Sequence, residues 1–348
     1  MKFRRLANTG IYVSELCLGA MTFGGTGLFK AIGTLGQTEA DALVHRSLDA
    51  GINFFDTANV YSTGTSEEML GKALGARRRD SIVATKVRGR MGDGPNEIGL
   101  SRVHIMQQCD DSLRRLGTDY IDLYQIHGHD PVTDIGETLD ALDALVRAGK
   151  VRYIGCSNLA AWQLMKALGV SRQRGLAEFI STQSYYSIAG RELEREIIPL
   201  VEDQQIAVLP WSPLAGGFLS GKFTRDAESD PDARRVAFDF PPVNKDRGYD
   251  IIDVMRDVAT AHDVSVAHIA LAWLLHQPAV TSVIIGAKRL DQLNDNLGSI
   301  DVTLTNDDLD RLNTVSALAP EYPGWMQAMQ HSDRAPGTAR DWEAFTKK

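Results

Sequence analysis

The sequence predicts an α/β protein in which eight parallel strands alternate with helices and close into a (β/α)8, or TIM, barrel. Eight short apolar runs are each followed by a segment with helical periodicity. The runs are continuously apolar, which is typical of a parallel sheet that is buried on both faces. An open doubly wound sheet is the rival, but no G-x-G-x-x-G motif with an acidic partner downstream stands at a strand-to-helix junction. Closure into a barrel is therefore the economical prediction.

The first half of the chain predicts a hairpin and four barrel strands. Residues 3–13, with Asn8-Thr9-Gly10 in the middle, predict a β-hairpin that precedes the barrel. The four strands are predicted at 16–18, 53–56, 81–85 and 120–126. The helices between them are predicted at 38–50 with Thr38 as the N-cap, at 66–74 opened by Ser66, from the N-cap Ser101 to Gly117, and from a capping box of Asp134 and Glu137.

The second half continues the alternation without a break in composition. Strands are predicted at 151–156, 179–182, 206–210 and 281–285, and helices at 160–168, 191–204, 250–261, 265–276 and 290–297. Residues 215–248 are polar and broken by Gly and Pro, so they predict a long loop after the seventh strand. An extra C-terminal helix is predicted at 305–315, followed by an irregular tail. The whole chain, 1–348, is predicted to be one barrel domain.

Composition argues against several classes of partner. The chain of 348 residues is 43% hydrophobic and 24% charged, as is usual for a soluble globular enzyme. A formal net charge of -8 argues against nucleic-acid binding. No apolar run has the length of a signal-peptide core or the ~20 residues of a membrane span, so we expect a cytoplasmic protein with no membrane partner. Cys17, Cys109 and Cys156 are widely separated and predict neither a disulfide framework nor a zinc cluster.

Four ionisable side chains stand at the ends of neighbouring predicted strands. Asp56 ends the second barrel strand, and Tyr61 follows on its loop. Lys86 ends the third strand and His127 ends the fourth. The carboxyl ends of parallel strands share one mouth, where catalytic groups collect. Each residue alone has a simpler interpretation, such as a packing tyrosine or a solvated lysine, but their common position favours an active site.

These four groups have the chemistry that carbonyl reduction would need. The reaction needs a hydride, which no side chain supplies, and a proton, which a side chain can supply. We predict that Tyr61 is the general acid, that Lys86 lowers its pKa, and that Asp56 holds Lys86 charged and in place. His127 is predicted to orient the carbonyl oxygen or to relay the proton.

Six segments in the same order make the chain similar to the aldo-keto reductase family, from Gly10 to Asn296. They are 53–58 with Tyr61, 85–86, 125–127, 155–158, 211–217 and 286–296. The resemblance implies an NADPH-dependent oxidoreductase on a (β/α)8 barrel, which reduces a small-molecule aldehyde or ketone to an alcohol or runs the reverse reaction. It leaves the substrate, the physiological direction and the oligomeric state open.

The cofactor site is predicted at the later strand ends. Ser157, Asn158 and Gln183 carry groups suited to hydrogen-bond a nicotinamide carboxamide, and the resemblance puts the indole of Trp211 against the nicotinamide ring. The segment after Trp211 resembles the family's pyrophosphate loop, in which glycines let backbone N–H groups approach the ligand and lysine adds charge. The remaining predicted cofactor residues are Ser212, Pro213, Leu214, Gly216, Ser220, Lys222, Asp56, Gly19, Met21 and Thr22.

The loop after the eighth strand predicts which dinucleotide binds. Gly286 is followed by Lys288 and Arg289 at a helix start, where cations favour a phosphate group. This pattern indicates the 2′-phosphate of NADP(H) in preference to the ribose of NAD(H). Gln292 and Asn296, farther along the helix, match family positions that contact the adenine end.

Two other classes of function remain open, and so does the substrate. His127-x-His129-Asp130 could hold a metal in a barrel hydrolase, but the other histidines fall in helix-like stretches, so no metal site is predicted. A non-catalytic partner module of the potassium-channel β-subunit type is the second alternative. Phe23, Tyr322 and Trp325 are predicted to give the mouth an apolar wall, which suits a hydrophobic or cyclic carbonyl, and His129 is predicted to touch the substrate.

Overall fold

The structure is a computed structural model that describes residues 1–30, 32–225, 235 and 238–334. It contains two compact units, Met1–Ser316 and Ala317–Lys348. All the strands given below lie in the first unit. The assignment of the whole chain to a single domain stays a prediction.

The strands form a hairpin and one parallel sheet. In chain order they are β1 (Phe3–Arg5), β2 (Tyr12–Ser14), β3 (Leu16–Gly19), β4 (Phe54–Asp56), β5 (Ile82–Val87), β6 (Ile121–Ile126), β7 (Val151–Ser157), β8 (Phe179–Tyr185), β9 (Ala207–Trp211) and β10 (Val283–Ile285). β1 and β2 pair in antiparallel fashion, as predicted for the hairpin. The other eight strands are parallel and lie in the order β10-β3-β4-β5-β6-β7-β8-β9.

The two ends of this eight-stranded sheet meet. Val208 of β9 forms a parallel bridge with Val280, three residues before β10. The amide of Thr281 donates to the carbonyl oxygen of Val208 at 2.9 Å. The sheet thus curls until its first and last strands are neighbours. The predicted (β/α)8 barrel is confirmed.

Helices cover the outside of the barrel. They are α1 (Gln37–Asp49), α2 (Thr65–Leu74), α3 (Arg102–Leu116), α4 (Ile135–Arg147), α5 (Ala161–Arg174), α6 (Ile197–Gln204), α7 (Lys245–His262), α8 (Val266–Leu275), α9 (Leu290–Gly298) and α10 (Asn306–Val315). The helix α11 (Gly324–Arg334) belongs to the second unit. Among the described residues, no single helix has the length and hydropathy to cross a membrane; α7 and α8 reach that level only as a pair bent by 95°.

Alternation along the strands produces two hydrophobic cores. Phe54 belongs to the cluster inside the barrel, whereas Phe55 belongs to the larger cluster between strands and helices. Successive strand residues point to opposite faces, so adjacent phenylalanines serve different cores. The burial of each side chain of this size contributes roughly 1.5–3 kcal/mol to the free energy of unfolding. Leu6 and Val13 join the inner cluster, so the hairpin covers the amino-terminal end of the barrel and leaves the carboxyl end for the active site.

The predicted helix 191–204 is interrupted. A 3-10 turn spans Glu192–Glu194, and α6 begins only at Ile197. Pro199 is the third residue of α6, where its missing N–H has no intrahelical partner to lose. A helix from residue 191 would put Pro199 in its interior and break a hydrogen bond there. The prediction of one continuous helix was wrong for this reason.

Several predicted caps also differ from the structure. α1 and α2 begin at Gln37 and Thr65, one residue before the predicted Thr38 and Ser66, and the hydroxyl of Ser66 donates to Ala20 O at 2.7 Å. Asp134 caps α4 by accepting from Gly136, but Glu137 does not complete a capping box. Its carboxylate accepts the amide of Arg102 at 2.9 Å and so caps the neighbouring α3.

The ends of the long loop and of the chain are more helical than predicted. α7 begins at Lys245 because the side chain of Asn244 accepts the amide of Arg247. The predicted loop 215–248 therefore ends earlier, and its residues 226–234 and 236–237 lie outside the described residues. The tail, predicted as irregular, contains α11. Cys17, Cys109 and Cys156 are all buried.

Candidate active site

The strand registers bring the four predicted catalytic residues together. Asp56 is the last residue of β4 and pairs with Ala84 of β5, two residues before Lys86. Lys86 in turn pairs with Gln125 of β6, two residues before His127. The amide of His127 donates to Val87 O at 2.9 Å, which extends the β5–β6 pairing to the start of the loop. Parallel register thus determines where three of the four groups meet.

Lys86 is the centre of the hydrogen-bond network. Its ammonium is fully buried and donates to Asp56 Oδ1 at 2.5 Å, to Thr57 O at 2.9 Å and to Tyr61 Oη at 3.3 Å. Burial lowers the pKa of Lys86, but the negative charge of Asp56 and the contacts with Tyr61 more than compensate, so the net pKa is raised. Lys86 therefore remains a cation at neutral pH.

Tyr61 projects from a turn that follows β4 directly. The next residues, Ser62, Thr63 and Gly64, have positive φ values of 49°, 54° and 93°. The phenol is buried, and that burial raises the pKa of Tyr61; the charge of Lys86 lowers it but does not cancel the effect. The expectation of a lowered pKa was therefore wrong in its net sign, because desolvation outweighs the neighbouring cation.

His127 contacts Tyr61 through its ring. The two ring centroids are 5.6 Å apart and the planes meet at 73°, an edge-to-face arrangement. Burial and, to a smaller extent, the positive charges of Lys86 and Arg88 lower the pKa of His127 from 6.5 to about 3. The imidazole is therefore neutral at physiological pH, as suits a group that orients an oxygen by a neutral N–H.

Two glutamine side chains hold the second oxygen of Asp56. Gln183 Nε2 donates to Asp56 Oδ2 at 2.8 Å, and Gln125 Nε2 donates to the same atom at 3.2 Å. Gln183 was predicted as a cofactor residue, and its amide nitrogen contacts the carboxylate of Asp56. Gln125 was not assigned a role. It lies two residues before His127, so strand alternation puts it on the same inner face, and that signal could have identified it.

The predicted nicotinamide residues form a chain of hydrogen bonds. Trp211 Nε1 donates to Asn158 Oδ1 at 3.0 Å, and Asn158 Nδ2 donates to Ser157 Oγ at 2.9 Å. Ser157 Oγ donates to Gln183 O at 2.7 Å. Asn158 has a positive φ of 55°, which turns its amide across the strand ends. These residues at the ends of β7, β8 and β9 are therefore fixed relative to one another and, through Gln183, to Asp56.

Trp211 has aromatic neighbours that the sequence did not indicate. Phe240 lies parallel to the indole, with centroids 5.6 Å apart and planes at 9°, and Tyr185 lies 5.2 Å away at 39°. Phe240 comes from the segment after the predicted pyrophosphate loop. Its backbone oxygen is 2.4 Å from where a Cβ at Gly216 would stand, so only glycine permits this approach. A chain reversal of this kind gives no local sequence signal.

The predicted pyrophosphate loop is a series of tight turns. The segment Ala215–Ser220 is 3-10 helical, and Gly216 and Gly217 have positive φ values of 67° and 96°. Ser212 Oγ accepts the amide of Gly216 at 3.0 Å. Apart from its chain neighbours, no atom of the described residues lies within 4 Å of a Cβ built on Gly217, so these residues leave the backbone there open to a ligand. The other predicted members, Pro213, Leu214, Ser220 and Lys222, lie in the same stretch, and Lys222 is exposed.

The loop after β10 carries the predicted cations. Arg289 is the N-cap residue of α9 and forms two short bonds of 2.9 Å to the carboxylate of Asp291. The amide of Lys288 donates to Gln292 Oε1 at 2.9 Å, and Asn296 Nδ2 donates to Gly286 O at 3.3 Å. Gln292 and Asn296 thus hold this loop against α9, and the cation of Arg289 is paired with a carboxylate that the sequence analysis did not consider.

The first loop joins the two predicted halves of the cofactor site. Thr22 Oγ1 donates to Ala287 O at 3.1 Å, which links the loop after β3 to the loop after β10. Gly19 pairs with Asp56 at the end of β3, and Met21 is partly exposed two residues later.

The predicted substrate residues Phe23 and His129 differ in their surroundings. Phe23 is fully buried in the outer core, whereas Phe29 packs edge-on against Tyr61 with centroids 5.1 Å apart. His129 is exposed, and its carbonyl accepts from Arg88 Nε at 2.8 Å. Trp325 lies in the second unit, where its ring centroid is 6.0 Å from that of Tyr322. The contact of Phe29 with Tyr61 was not predicted, because Phe29 lies in a glycine-rich loop whose path the sequence does not specify.

In the His127-x-His129-Asp130 motif, Asp130 stabilises the backbone of the surrounding loops. The carboxylate of Asp130 accepts the amides of Leu100 and Val132 at 2.7 and 2.9 Å. In the part of the chain that the structure describes, no three His, Cys, Asp or Glu side chains group as metal ligands. The cation of Lys86 beside His127 further disfavours a metal ion there.

Comparison with known proteins gives consistent matches. The profile of the aldo/keto reductase family matches residues 15–317. A Bacillus subtilis protein named uncharacterized oxidoreductase YrpG is 37% identical over 340 residues, covering 93% of this chain and 100% of that protein. The putative aryl-alcohol dehydrogenase C977.14c of Schizosaccharomyces pombe is 35% identical, covering 87% and 92% of the two chains. A probable voltage-gated potassium channel subunit beta of Oryza sativa is 35% identical, covering 92% and 98%.

Proposed function

The chain belongs to the aldo/keto reductase family, and from that premise we propose that it interconverts carbonyl compounds and alcohols with NADP(H), using Tyr61 as the general acid. Members of this family are oxidoreductases that act on carbonyl or alcohol groups with a nicotinamide cofactor. The residue assignments and the cofactor preference are the parts that go beyond membership in the family.

The observation that carries the proposal is the buried chain from Asp56 through Lys86 to Tyr61. The distances are 2.5 Å and 3.3 Å, and the raised pKa of Lys86 keeps it cationic. Tyr61 keeps its proton at neutral pH, because burial raises its pKa above the usual value. When that proton leaves for a carbonyl oxygen, the phenolate forms next to the ammonium. A charge that develops beside a fixed, buried counter-charge is strongly stabilised.

The residues present fit a nicotinamide dinucleotide. Apart from chain neighbours, none of the atoms that the structure describes lies within 4 Å of a Cβ built on Gly217 or Gly286, which supports an approach of phosphate groups to the backbone of both loops. Trp211, Asn158 and Ser157 would hold the nicotinamide end, and Lys288 and Arg289 would hold the 2′-phosphate. When bound, the dinucleotide supplies or accepts the hydride.

One aromatic side chain beside the phenol and a stacked aromatic pair at Trp211 support an apolar substrate. Phe29 lies against one side of Tyr61, and Trp211 and Phe240 stack at the ends of the later strands. Flat apolar rings favour substrates that bring a planar, apolar body to the reacting carbonyl. We therefore infer that aryl aldehydes and the corresponding alcohols are better substrates than short aliphatic ones. The aryl-alcohol name of the Schizosaccharomyces pombe relative agrees with this inference.

The test is NADPH consumption over a panel of aldehydes, cyclic ketones and ketosugars, with Tyr61→Phe as the decisive variant. We expect Tyr61→Phe to bind NADPH normally and to lose kcat by roughly 10²–10⁴-fold, the range for a lost general acid. Tyr12→Phe, which alters an exposed hairpin tyrosine, is the control. A folded Tyr61→Phe enzyme with near-wild-type turnover would refute the assignment.

A second candidate is a non-catalytic partner module that binds the cofactor without turnover. The Oryza sativa relative, named as a potassium channel subunit, favours it. The two candidates differ in one measurement, because both bind NADPH and only the enzyme oxidises it in the presence of a carbonyl compound. Binding with no turnover across the panel would favour the partner module.

A further inference from the structure

The turn that carries Tyr61 needs support from outside. Ser62, Thr63 and Gly64 all have positive φ, and a non-glycine residue in that region costs of order 1–3 kcal/mol unless the surroundings enforce it. On one side, Thr26 Oγ1 donates to Ser62 O at 2.7 Å and Ser62 Oγ donates to Phe23 O at 3.0 Å. These bonds attach the turn to the loop after β3. They do not connect it to the strand that bears Lys86.

The other side of the turn rests on Arg115 of α3. A Cβ built on Gly64 would stand 2.6 Å from Arg115 Cδ and 2.8 Å from its Nε. The stem of Arg115 therefore fills the space that a side chain at residue 64 would need. Arg115 is 12% exposed, so its position depends on the groups that bind its guanidinium.

Glu67 fixes that guanidinium and also reaches the strand of Lys86. Its carboxylate is 0% exposed, and Oε2 accepts from Arg115 Nε at 2.6 Å. The other oxygen, Oε1, accepts from Thr85 Oγ1 at 2.5 Å. Thr85 is the residue before Lys86 in β5, and strand alternation puts its hydroxyl outside the barrel while Lys86 points inward. One buried carboxylate thus connects the turn of Tyr61 with the strand of Lys86.

We propose that the Glu67–Arg115 ion pair is a positioning device that sets the distance between the Tyr61 phenol and the Lys86 ammonium. Neither residue touches the reacting groups, and the proposal rests on the proposed role of Tyr61 as the acid. The turn that carries Tyr61 and the strand β5 define the distance of 3.3 Å between Lys86 Nζ and Tyr61 Oη, and the ion pair contacts both elements on their outer side. Electrostatic stabilisation of a phenolate weakens as this distance grows.

A purely structural ion pair would lower stability when broken but would leave the chemistry of the folded fraction unchanged. A positioning pair acts on the ammonium–phenol contact itself. Its loss should therefore change how alcohol oxidation depends on pH, because the phenolate is the base in that direction. The rate of alcohol oxidation should rise with pH as the phenol loses its proton, and we call this rise the alkaline limb. It is expected to move to higher pH when Lys86 stands farther from Tyr61.

The decisive variant is Glu67→Gln, which removes the charge and keeps the shape. Glu68→Gln, at the next and exposed position of α2, is the matched control. We expect Glu67→Gln to keep its dissociation constant for NADPH, measured by fluorescence quenching. Its kcat should fall by roughly 10- to 100-fold, in line with small misplacements of catalytic groups, and its alkaline limb should move upward. Glu68→Gln should match the wild type in all three measurements.

Thr85→Val keeps the test decisive if Glu67→Gln does not fold. It removes one hydrogen bond, leaves the ion pair intact, and should give a smaller shift of the alkaline limb in the same direction. A folded Glu67→Gln or Thr85→Val enzyme with the wild-type pH profile and kcat would overturn the positioning role. Failure of the proposed function looks different, because the wild type itself would then show no turnover that depends on Tyr61.

Discussion

The ammonium of Lys86 lies 3.3 Å from the phenol oxygen of Tyr61, and both side chains are buried. Burial raises the pKa of Tyr61, and Lys86 opposes that rise only in part. In the resting site Tyr61 is therefore protonated, as its proposed role as general acid requires. The contribution of Lys86 increases as the proton leaves, because the interaction between ammonium and phenolate is stronger than that between ammonium and phenol.

Replacement of Lys86 by methionine should abolish this stabilisation. We expect kcat for carbonyl reduction to fall by roughly 10²–10⁴-fold, the contribution typical of a general acid. The pKa of Tyr61 should rise further, so the alkaline limb of alcohol oxidation should move upward. The measurements are kcat and the pH profile in both reaction directions.

The control for Lys86→Met is the double variant Asp56→Asn/Lys86→Met. The single variant leaves a buried carboxylate without its cation, which costs about 3–5 kcal/mol. The double variant has no unpaired charge, so it should melt at a higher temperature while kcat stays equally low. A folded Lys86→Met enzyme with wild-type kcat would contradict the role of the ammonium.

His127 should link stability to pH. Burial, with the charges of Lys86 and Arg88, lowers its pKa from 6.5 to about 3 in the folded protein. Between these values the unfolded chain binds a proton that the folded chain does not, so His127 makes the unfolding free energy fall as the pH falls, by about 1.4 kcal/mol per pH unit. The difference between wild type and His127→Gln in denaturant unfolding at pH 7, 6 and 5 measures this slope.

The control is His129→Gln, which changes an exposed histidine two residues along. Its unfolding free energy should keep the pH dependence of the wild type. Because the charge of His127 does not change near pH 6.5, the kcat profile of the wild type should have no inflection there that is lost in His127→Gln. A difference between wild type and His127→Gln that does not vary with pH would contradict a buried, neutral imidazole.

The grouping of the four predicted catalytic residues could be predicted because their positions follow from a repeated local pattern. Asp56, Lys86 and His127 each stand at the end of an apolar run, and a parallel barrel brings such ends together. The net sign of the Tyr61 pKa could not be predicted in this way. It depends on how deeply the phenol is buried, and burial arises from loops that are distant in the chain.

Contacts between distant loops escaped the sequence analysis for the same reason. Phe240 reaches Trp211 only because the chain turns back over Gly216, and Glu67 meets Arg115 across 48 positions. Such pairs have no characteristic spacing, since different elements supply their members. The helix ends were also set by neighbours, as where Glu137 caps α3 and not its own helix. Local patterns therefore predicted the strands and the grouping of the strand-end side chains better than the contacts that support them.

The proposed 2′-phosphate site in the loop after β10 predicts how the protein should distinguish NADPH from NADH. Arg289→Ala should raise KM for NADPH by roughly tenfold and leave KM for NADH unchanged, because a charged contact to the 2′-phosphate is lost. Asp291→Asn should lower KM for NADPH and leave KM for NADH unchanged, since it releases Arg289 from its bonds of 2.9 Å to the Asp291 carboxylate. Steady-state kinetics with both cofactors measure the two effects.

Arg172→Ala removes an arginine of similar exposure, paired with Glu178 near the end of α5, and serves as the control. It should leave both KM values unchanged. The assignment of the 2′-phosphate to this loop fails if Arg289→Ala changes the KM values for NADPH and NADH equally.

Phe29 should select for aromatic substrates through its contact with Tyr61. The edge-to-face pair at 5.1 Å puts one ring beside the acid, and such pairs contribute about 0.5–1.5 kcal/mol beyond the area they bury. Phe29→Ala should therefore lower kcat/KM for benzaldehydes by roughly tenfold more than for short aliphatic aldehydes, because only the former can pack against the ring.

The control is Phe3→Ala, which changes an exposed phenylalanine of the hairpin at the amino-terminal end of the barrel. It should leave the ratio of the two kcat/KM values unchanged. Phe29 also helps to bury the phenol, and burial is the largest cause of the raised pKa of Tyr61. The alanine variant should therefore move the alkaline limb of alcohol oxidation to lower pH, opposite to the shift expected for Lys86→Met. If Phe29→Ala lowers kcat/KM equally for both aldehyde classes and leaves the limb in place, Phe29 does not line the substrate site.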